Sequence, residues 1–358
     1  MVSDKLILVI NPGSTSTKIA VYQNRNQIFI ESVNHDTQAL KEFKKISDQY
    51  ELRYNEVINA LRKHQVDAQS LTAIIGRGGL IKPVESGVYY INSKMIDDLT
   101  KNVFLEHASN LGALIAKKMA DTYNIPCYIA DPVVVDEMMD IARITGRPEI
   151  QRESRFHALN HKAVARKAAR LLAKNYEDVN LIVAHLGGGI SVAVHEKGKV
   201  VDVTEALYGD APFSAERAGR LPTGQLLEMC FEENADIFDI KRKLVGAGGL
   251  VAHCGSNDGR AIEEKIKHGD KQTELVYEAM AYQIAKDISS FGATLKGKVD
   301  GIILTGGMAR SEMLINWISE RVEYMGQVFL FPGENEMESL ADAAFRALSG
   351  EERVKEYK

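Results

Sequence analysis

An arginine, an aspartate and a histidine stand where predicted strands give way to polar loops, a placement suited to handling anions. Arg77 ends a short apolar run between Gly76 and Gly78, Asp131 ends another, and His185 immediately precedes Gly187-Gly188-Gly189. In an open α/β sheet such strand ends are where ligands usually bind. Arg217 and Arg220 lie in the loop Ala211–Thr223, and a planar guanidinium matches a carboxylate or phosphoryl group in a bidentate manner. Each residue also has a plainer reading as surface decoration on a solvated loop. His157 and His161 are spaced i,i+4, as zinc ligands on a helix would be. Ala158 replaces the glutamate of HExxH and no third ligand follows, so His161 reads as a packed helix histidine. His157, in a basic loop with Arg152 and Arg155, is better placed to meet an anion.

The residues that would cradle such an anion come in three turns, Asn11–Thr17, Gly187–Ser191 and Thr305–Met308, each after an apolar run. The first lies within Leu6–Tyr22, LILVINPGSTSTKIAVY, which reads as strand, turn, strand. Its small hydroxyl residues leave backbone N–H groups open to a phosphate. It is not a Walker A loop, because GxxxxGK[ST] is absent and a strand follows. Leu181–Val203 repeats the layout of residues 6–33: strand, glycine turn, strand, tight turn, strand. Two such frames half a chain apart predict a duplicated α/β domain, with ligands between the copies.

Other elements support these frames. Helical spacing marks residues 38–64, 109–123, 160–174, 271–295 and a stretch from Ser311, and short strands are predicted at Leu71–Ile75, Cys127–Ala130, Gly301–Gly307 and Val328–Phe331. Asn335 and Glu338 fit a cap and capping box for a last helix, followed by a charged tail. The 358 residues suffice for two domains, and a net charge of −5 gives no basic field for nucleic acid or an anionic membrane. Three scattered cysteines form no CxxC, which fits a reducing cytoplasm. The N-terminal apolar run is too short for a secretory signal, and no run approaches a membrane span.

INPGSTSTK, FHALNH at Phe156–His161, HLGGG at His185–Gly189, Pro212–Pro222 and Thr305-Gly306-Gly307 occur in the order of the acetokinase family, which the chain resembles from about residue 5 to residue 348. Within it, Pro12, the Gly188-Gly189 pair and PFSAERAGRLPTG resemble the butyrate kinase branch; acetate kinases usually read INAGSSSLK and HLGNGSS at the corresponding places. The resemblance implies two duplicated ribonuclease H-like α/β domains of the actin-like ATPase type with an interdomain cleft. An acid-side domain over 1–165, completed by a helix in 337–358, and a nucleotide-binding domain over 166–336 are expected.

Residue roles follow from the same resemblance. Arg77 and Arg217 resemble the arginines that grip the transferring phosphoryl group and the carboxylate, Asp131 the catalytic aspartate, and His157 the histidine on the phosphoryl group in flight. His185 with Gly187, Gly188 and Gly189 resembles one phosphate element, and Ser14, Ser16 and Lys18 belong to the other. Asn11 and Glu336 resemble the pair that positions Mg²⁺. Asp258 and Arg260 fall in the loop near base and ribose, Gly306 and Gly307 begin the adenosine element, and His107 resembles a histidine at the edge of the acid site. Gly188 stands where acetate kinases have Asn, so a backbone N–H must replace a side chain there. The implied reaction is butyrate plus ATP giving butyryl phosphate and ADP, reversibly, by direct in-line transfer in a cytoplasmic homodimer or higher homo-oligomer. Isobutyrate, propionate and acetate are alternative acids. A sugar-type kinase, or a nucleotide-dependent binding module of the Hsp70 kind, are the readings from other classes.

Overall fold

The computed structural model describes residues 4–36, 40, 43, 45–101, 103–104, 107–233 and 235–358. The chain forms two compact units, one from residues 1–135 with 335–358 and one from 136–334. Among the described residues the strands are β1 (Leu6–Pro12), β2 (Ser16–Gln23), β3 (Asn26–Asn34), β4 (Ala73–Arg77), β5 (Val88–Tyr90), β6 (Cys127–Ala130), β7 (Asn180–Leu186), β8 (Ile190–Glu196), β9 (Lys199–Val203), β10 (Gly301–Gly306), β11 (Val328–Pro332) and β12 (Lys355–Glu356).

The first unit holds a seven-stranded sheet in the order β12-β5-β6-β4-β1-β2-β3. Both faces of β1 are covered, which is why it reads as an unbroken apolar run. Leu8 and Ile10 join a core shared with the helices Tyr50–Lys63 and Asn110–Tyr123. The alternate residues Ile7 and Val9 are equally buried, and the helix Glu336–Ser349 packs on β1, β4 and β6. The helical reading of 38–64 becomes a 3₁₀ turn at Ile46–Gln49 and a helix at Tyr50–Lys63; residues 38, 39, 41, 42 and 44 lie outside the described residues.

In the second unit a five-stranded sheet runs β11-β10-β7-β8-β9. Ile182, Ala184 and Leu186 pack with the helices Lys271–Thr294 and Glu312–Val322, while Leu181 and Val183 pack with Ala158–Leu171. The strands β6-β4-β1-β2-β3 have the same order and directions as β11-β10-β7-β8-β9. Even the break in register recurs, at Val21/Tyr22 and Val194/His195. The duplication read from sequence is thus a duplication of topology.

The compact units divide at 135/136, and the helix Ala158–Leu171 packs on β7 and β10 within the second. Two expectations change. Asn335 does precede the last helix, but at a left-handed φ of 46° its side chain makes no cap hydrogen bond. The charged tail pairs β12 with β5 and buries Tyr357, whose hydroxyl donates to Asp98 at 2.8 Å and accepts from the Lys82 N–H at 3.2 Å.

Candidate active site

In the first unit Asn11, Arg77 and Asp131 stand at the same ends of three parallel strands, since Ile10 is opposite Gly76 and Arg77 opposite Ala130. Asn11 Nδ2 donates to Glu336 Oε2 at 2.8 Å, and Arg77 Nη1 ion-pairs with Oε1 of the same carboxylate. Glu336 lies in the first turn of its helix, where the helix dipole favours a negative charge. The end of β4 is held tightly: a Cβ on Gly76 would strike the Gly112 carbonyl, so only glycine lets the helix Asn110–Tyr123 lie this close beside Arg77. Asp131 is buried at a left-handed φ of 39°, and its Oδ1 accepts from Ser86 Oγ at 2.7 Å and the Gly87 N–H at 2.8 Å. His107 Nδ1 accepts from the Ser109 N–H at 3.2 Å; partial burial and the nearby Arg77 charge push its pKa down. Of the apolar residues after Arg77, Ile81 belongs to the core and Pro83 is exposed.

The first turn closes with the Gly13 N–H donating to the Ser16 carbonyl at 2.7 Å. Ser14 and Lys18 are exposed and Ser16 partly so. Lys18 is the register partner of Asn11, so both side chains leave the same face of the hairpin. Behind the turn lies Arg53, with no exposed surface. Its Nη1 donates to the carbonyls of Gly13 (2.8 Å) and Ser16 (3.0 Å) and to Thr17 Oγ1 (3.1 Å). Its Nη2 donates to the Ser14 carbonyl (3.1 Å) and Gln49 Oε1 (2.8 Å). Burial lowers its pKa to about 10, still a cation at neutral pH. Drawing three carbonyls of the turn to one side commits them to Arg53 rather than to a ligand. The sequence reading missed Arg53, although it lies four residues before Val57 on the buried stripe Arg53, Val57, Ala60, Leu61.

In the second unit the turn Gly187–Gly189 joins β7 to β8, with Leu186 opposite Ile190 and His185 opposite Ser191. His185 therefore occupies the register position of Asn11 in the first frame. Its Nδ1 is hydrogen-bonded to Asn160 Oδ1 at 2.8 Å, and its ring stacks on His157 with centroids 3.8 Å apart. Arg217 lies against this turn: a Cβ on Gly189 would collide with its guanidinium, whose Nη1 donates to the Ala206 carbonyl. Burial pushes the Arg217 pKa down, opposed by Glu205 and Glu216. Gly188 is held by Ser214 Oγ, which donates to its carbonyl at 2.6 Å, and by the Glu216 N–H at 3.4 Å.

The remaining nucleotide-side residues are placed in loops. Asp258 caps the helix Gly259–Lys267, accepting from the Arg260 N–H at 3.0 Å, and the Arg260 side chain is almost fully exposed. Asn257 Nδ2 donates to Glu216 Oε1 at 2.6 Å, tying this loop to the Arg217 segment. Gly306 ends β10 and exchanges backbone hydrogen bonds with Gly333, and Gly307 opens a 3₁₀ turn. Three basic residues of these loops have carboxylate partners. Arg152 ion-pairs with Asp202 and Asp210, Arg155 with Glu153, and Arg220 with Asp287. Arg152 is thus bound to two carboxylates, while the Arg155–Glu153 pair lies at the surface. His161 is fully buried, with Nε2 hydrogen-bonded to Ser191 Oγ at 2.9 Å, in line with the packed helix histidine read from sequence.

The sequence model of the acetokinase family matches residues 147–343, more than half of the chain and most of this second unit. The chain belongs to the acetokinase family. As a member it is a phosphotransferase with a carboxyl group as acceptor. Its fold is that of solved kinases of short-chain acids. The acetate kinase of Porphyromonas gingivalis superposes with a TM-score of 0.77 at 18% identity, covering 95% of this chain and 99% of that one. A propionate kinase from Francisella tularensis subsp. tularensis SCHU S4 gives 0.74 at 19% identity, covering 95% and 98%. The acetate kinase of Entamoeba histolytica gives 0.74 at 17%, covering 94% and 98%. No helix among the described residues is long and apolar enough to cross a membrane.

Proposed function

We propose that this acetokinase-family chain phosphorylates butyrate with ATP, giving butyryl phosphate and ADP reversibly by direct in-line transfer. The observation that carries the reading concerns the two segments resembling the butyrate branch, Gly187–Gly189 and Pro212–Pro222. They are hydrogen-bonded to each other through Ser214 and Glu216 on Gly188, and the Arg217 guanidinium packs against Gly189. Both contacts fall on the Gly188 carbonyl, which leaves the Gly188 N–H to serve where acetate kinases have the Asn side chain.

A short-chain acid is ionised near neutral pH, so its carboxylate is already the nucleophile and no general base is needed. The difficulty is bringing that anion to a polyanion, and fixed cations and aimed N–H groups relieve it. Arg77 and His107 serve the acid, Arg217 and His157 the moving phosphoryl group, and His185 with the glycine turn the nucleotide phosphates. Ser14, Ser16 and Lys18 supply the first phosphate turn. Asp258, Arg260, Gly306 and Gly307 lie towards the adenosine. Asp131 orders the end of β6 beside Arg77. The Glu336 carboxylate offers hard oxygen, and the Asn11 amide, whose Nδ2 donates to it at 2.8 Å, carries a further hard oxygen in Oδ1. That sparse set fits Mg²⁺, which keeps water and phosphate ligands beside one or two protein oxygens. Bound there, Mg²⁺ would offset phosphate charge.

Acetate or propionate is the second reading, favoured by the acids named for the three solved kinases. ADP release measured with acetate, propionate, butyrate, isobutyrate and valerate separates the two. The expected kcat/KM peaks at butyrate or isobutyrate, by roughly tenfold or more per methylene lost. A peak at acetate or propionate would contradict the proposed acid.

A further inference from the structure

Behind His157 a line of buried polar groups runs into the second unit. His157 Nδ1 and His161 Nε2 are both hydrogen-bonded to Ser191 Oγ, each at 2.9 Å. His161 Nδ1 is 3.5 Å from His195 Nε2, and His195 Nδ1 is 2.7 Å from the Tyr176 hydroxyl. Ser191, His161 and His195 have essentially no exposed surface and Tyr176 very little. The groups come from the helix Ala158–Leu171, from β8 and from the 3₁₀ turn Tyr176–Asp178, so the line joins three elements.

A neutral imidazole has one N–H and one lone pair, so each histidine passes its polarity on, while the Ser191 hydroxyl, with one O–H and two lone pairs, can donate to one ring and accept from the other. Burial and the neighbouring charges of His185, Lys162 and Arg166 push His161 and His195 well below the ordinary histidine pKa, which keeps both neutral. Lys162 in turn pairs with Glu137, and Lys162 and Arg166 each lie 5.5 Å from the Tyr176 ring centroid. The phenol end and the phosphoryl end then choose the polarity. A phenol donates better than it accepts, because its oxygen lone pair is delocalised into the ring. Tyr176 donating to His195 Nδ1 puts the next protons on His195 Nε2 and His161 Nε2, and the Ser191 hydroxyl then donates to His157 Nδ1. The opposite polarity would turn a lone pair of His157 Nε2 towards an anionic phosphoryl group, which is repulsive.

We propose that Tyr176, His195, His161 and Ser191 fix the tautomer of His157 with its proton on Nε2, making Ser191 a positioning residue for phosphoryl transfer. The proposal rests on the reading that His157 donates to that group. Ser191 orients the donor and never touches substrate.

Protein labelled with ¹⁵N-histidine reports the tautomer through long-range ¹H–¹⁵N couplings, with His157 assigned by its loss in a His157→Gln variant. The wild type is expected to show Nδ1 unprotonated and Nε2 protonated at His157. Ser191→Ala should give an averaged tautomer and a kcat lowered roughly ten- to a hundredfold, the usual cost of removing a group that orients a site histidine. KM for ATP should barely move, and Ser191→Thr should restore both signals. Tyr176→Phe, which removes only an oxygen, should mix the tautomers in the same sense even if Ser191→Ala folds poorly. A wild-type His157 protonated on Nδ1, or a tautomer unchanged in both variants, would overturn the relay. Full activity of His157→Gln would instead overturn the reading that the relay serves, whatever the tautomer.

Discussion

Arg77 and Arg217 differ in what holds them, and their loss should differ accordingly. Arg77 is bound to Glu336, whereas Arg217 is wedged against a glycine turn with its Nη1 on a backbone carbonyl. Replacing either by alanine should raise the barrier to transfer by about 3–5 kcal/mol, the scale of a major charge stabiliser. Steady-state kinetics should therefore show kcat/KM reduced by two orders of magnitude or more, and unchanged turnover would remove the residue from the mechanism. The turn offers a finer test. A Cβ on Gly188 would meet only the Glu216 carboxylate at 3.5 Å, an ordinary contact, while one on Gly189 would displace the Arg217 guanidinium. Gly188→Ala should stay within a few-fold of wild-type kcat, and Gly189→Ala should approach the Arg217→Ala defect with its thermal melt little changed. Equal effects at the two positions would mean that Arg217 does not act from this perch.

At the scale of elements, strand–turn–strand units were legible because strands buried on both faces read as unbroken apolar runs closed by glycine or hydroxyl turns. That logic located β1, β2, β7, β8 and β10 and the residues at their ends. What the sequence hid depends on partners far apart in the chain. Arg53 sits in a polar helix, and only its i,i+4 step to Val57 betrays that it faces inward. Ser191 gains meaning from His157 and His161, about thirty residues earlier. Asn335 has the residue type of a cap but the wrong backbone, and the C-terminal segment looks like a solvated tail because one aromatic among charges carries its docking. Tyr357 anchors β12 through Asp98 and Lys82. Tyr357→Ala should cost about 3 kcal/mol of stability in urea denaturation, as expected for emptying a buried aromatic site. A loss within a few tenths of a kcal/mol would mean that β12 does not stay docked in solution.

Over the whole molecule, one five-stranded frame is used twice, and each copy carries a polar register pair before its turn: Asn11 with Lys18, His185 with Ser191. One copy presents an amide and a cation, the other an imidazole and a hydroxyl that leads into the buried histidines. Those histidines tie stability to pH. His161 and His195 have folded-state pKa values well below their unfolded values. The unfolded chain therefore takes up protons that the folded chain refuses, so their contribution is complete above about pH 6.5 and is lost as pH falls towards the depressed folded values. Denaturant unfolding between pH 7 and pH 5 should show stability falling by up to ~1.4 kcal/mol per pH unit for each histidine. A flat profile would mean that these rings are solvated. The assignment of carboxylate phosphorylation to this doubled frame is tested most directly by trapping the product. Purified protein with ATP, Mg²⁺, butyrate and hydroxylamine should give butyryl hydroxamate in step with ADP, since an acyl phosphate acylates hydroxylamine. ADP formed without hydroxamate from butyrate or any other short-chain acid would contradict it.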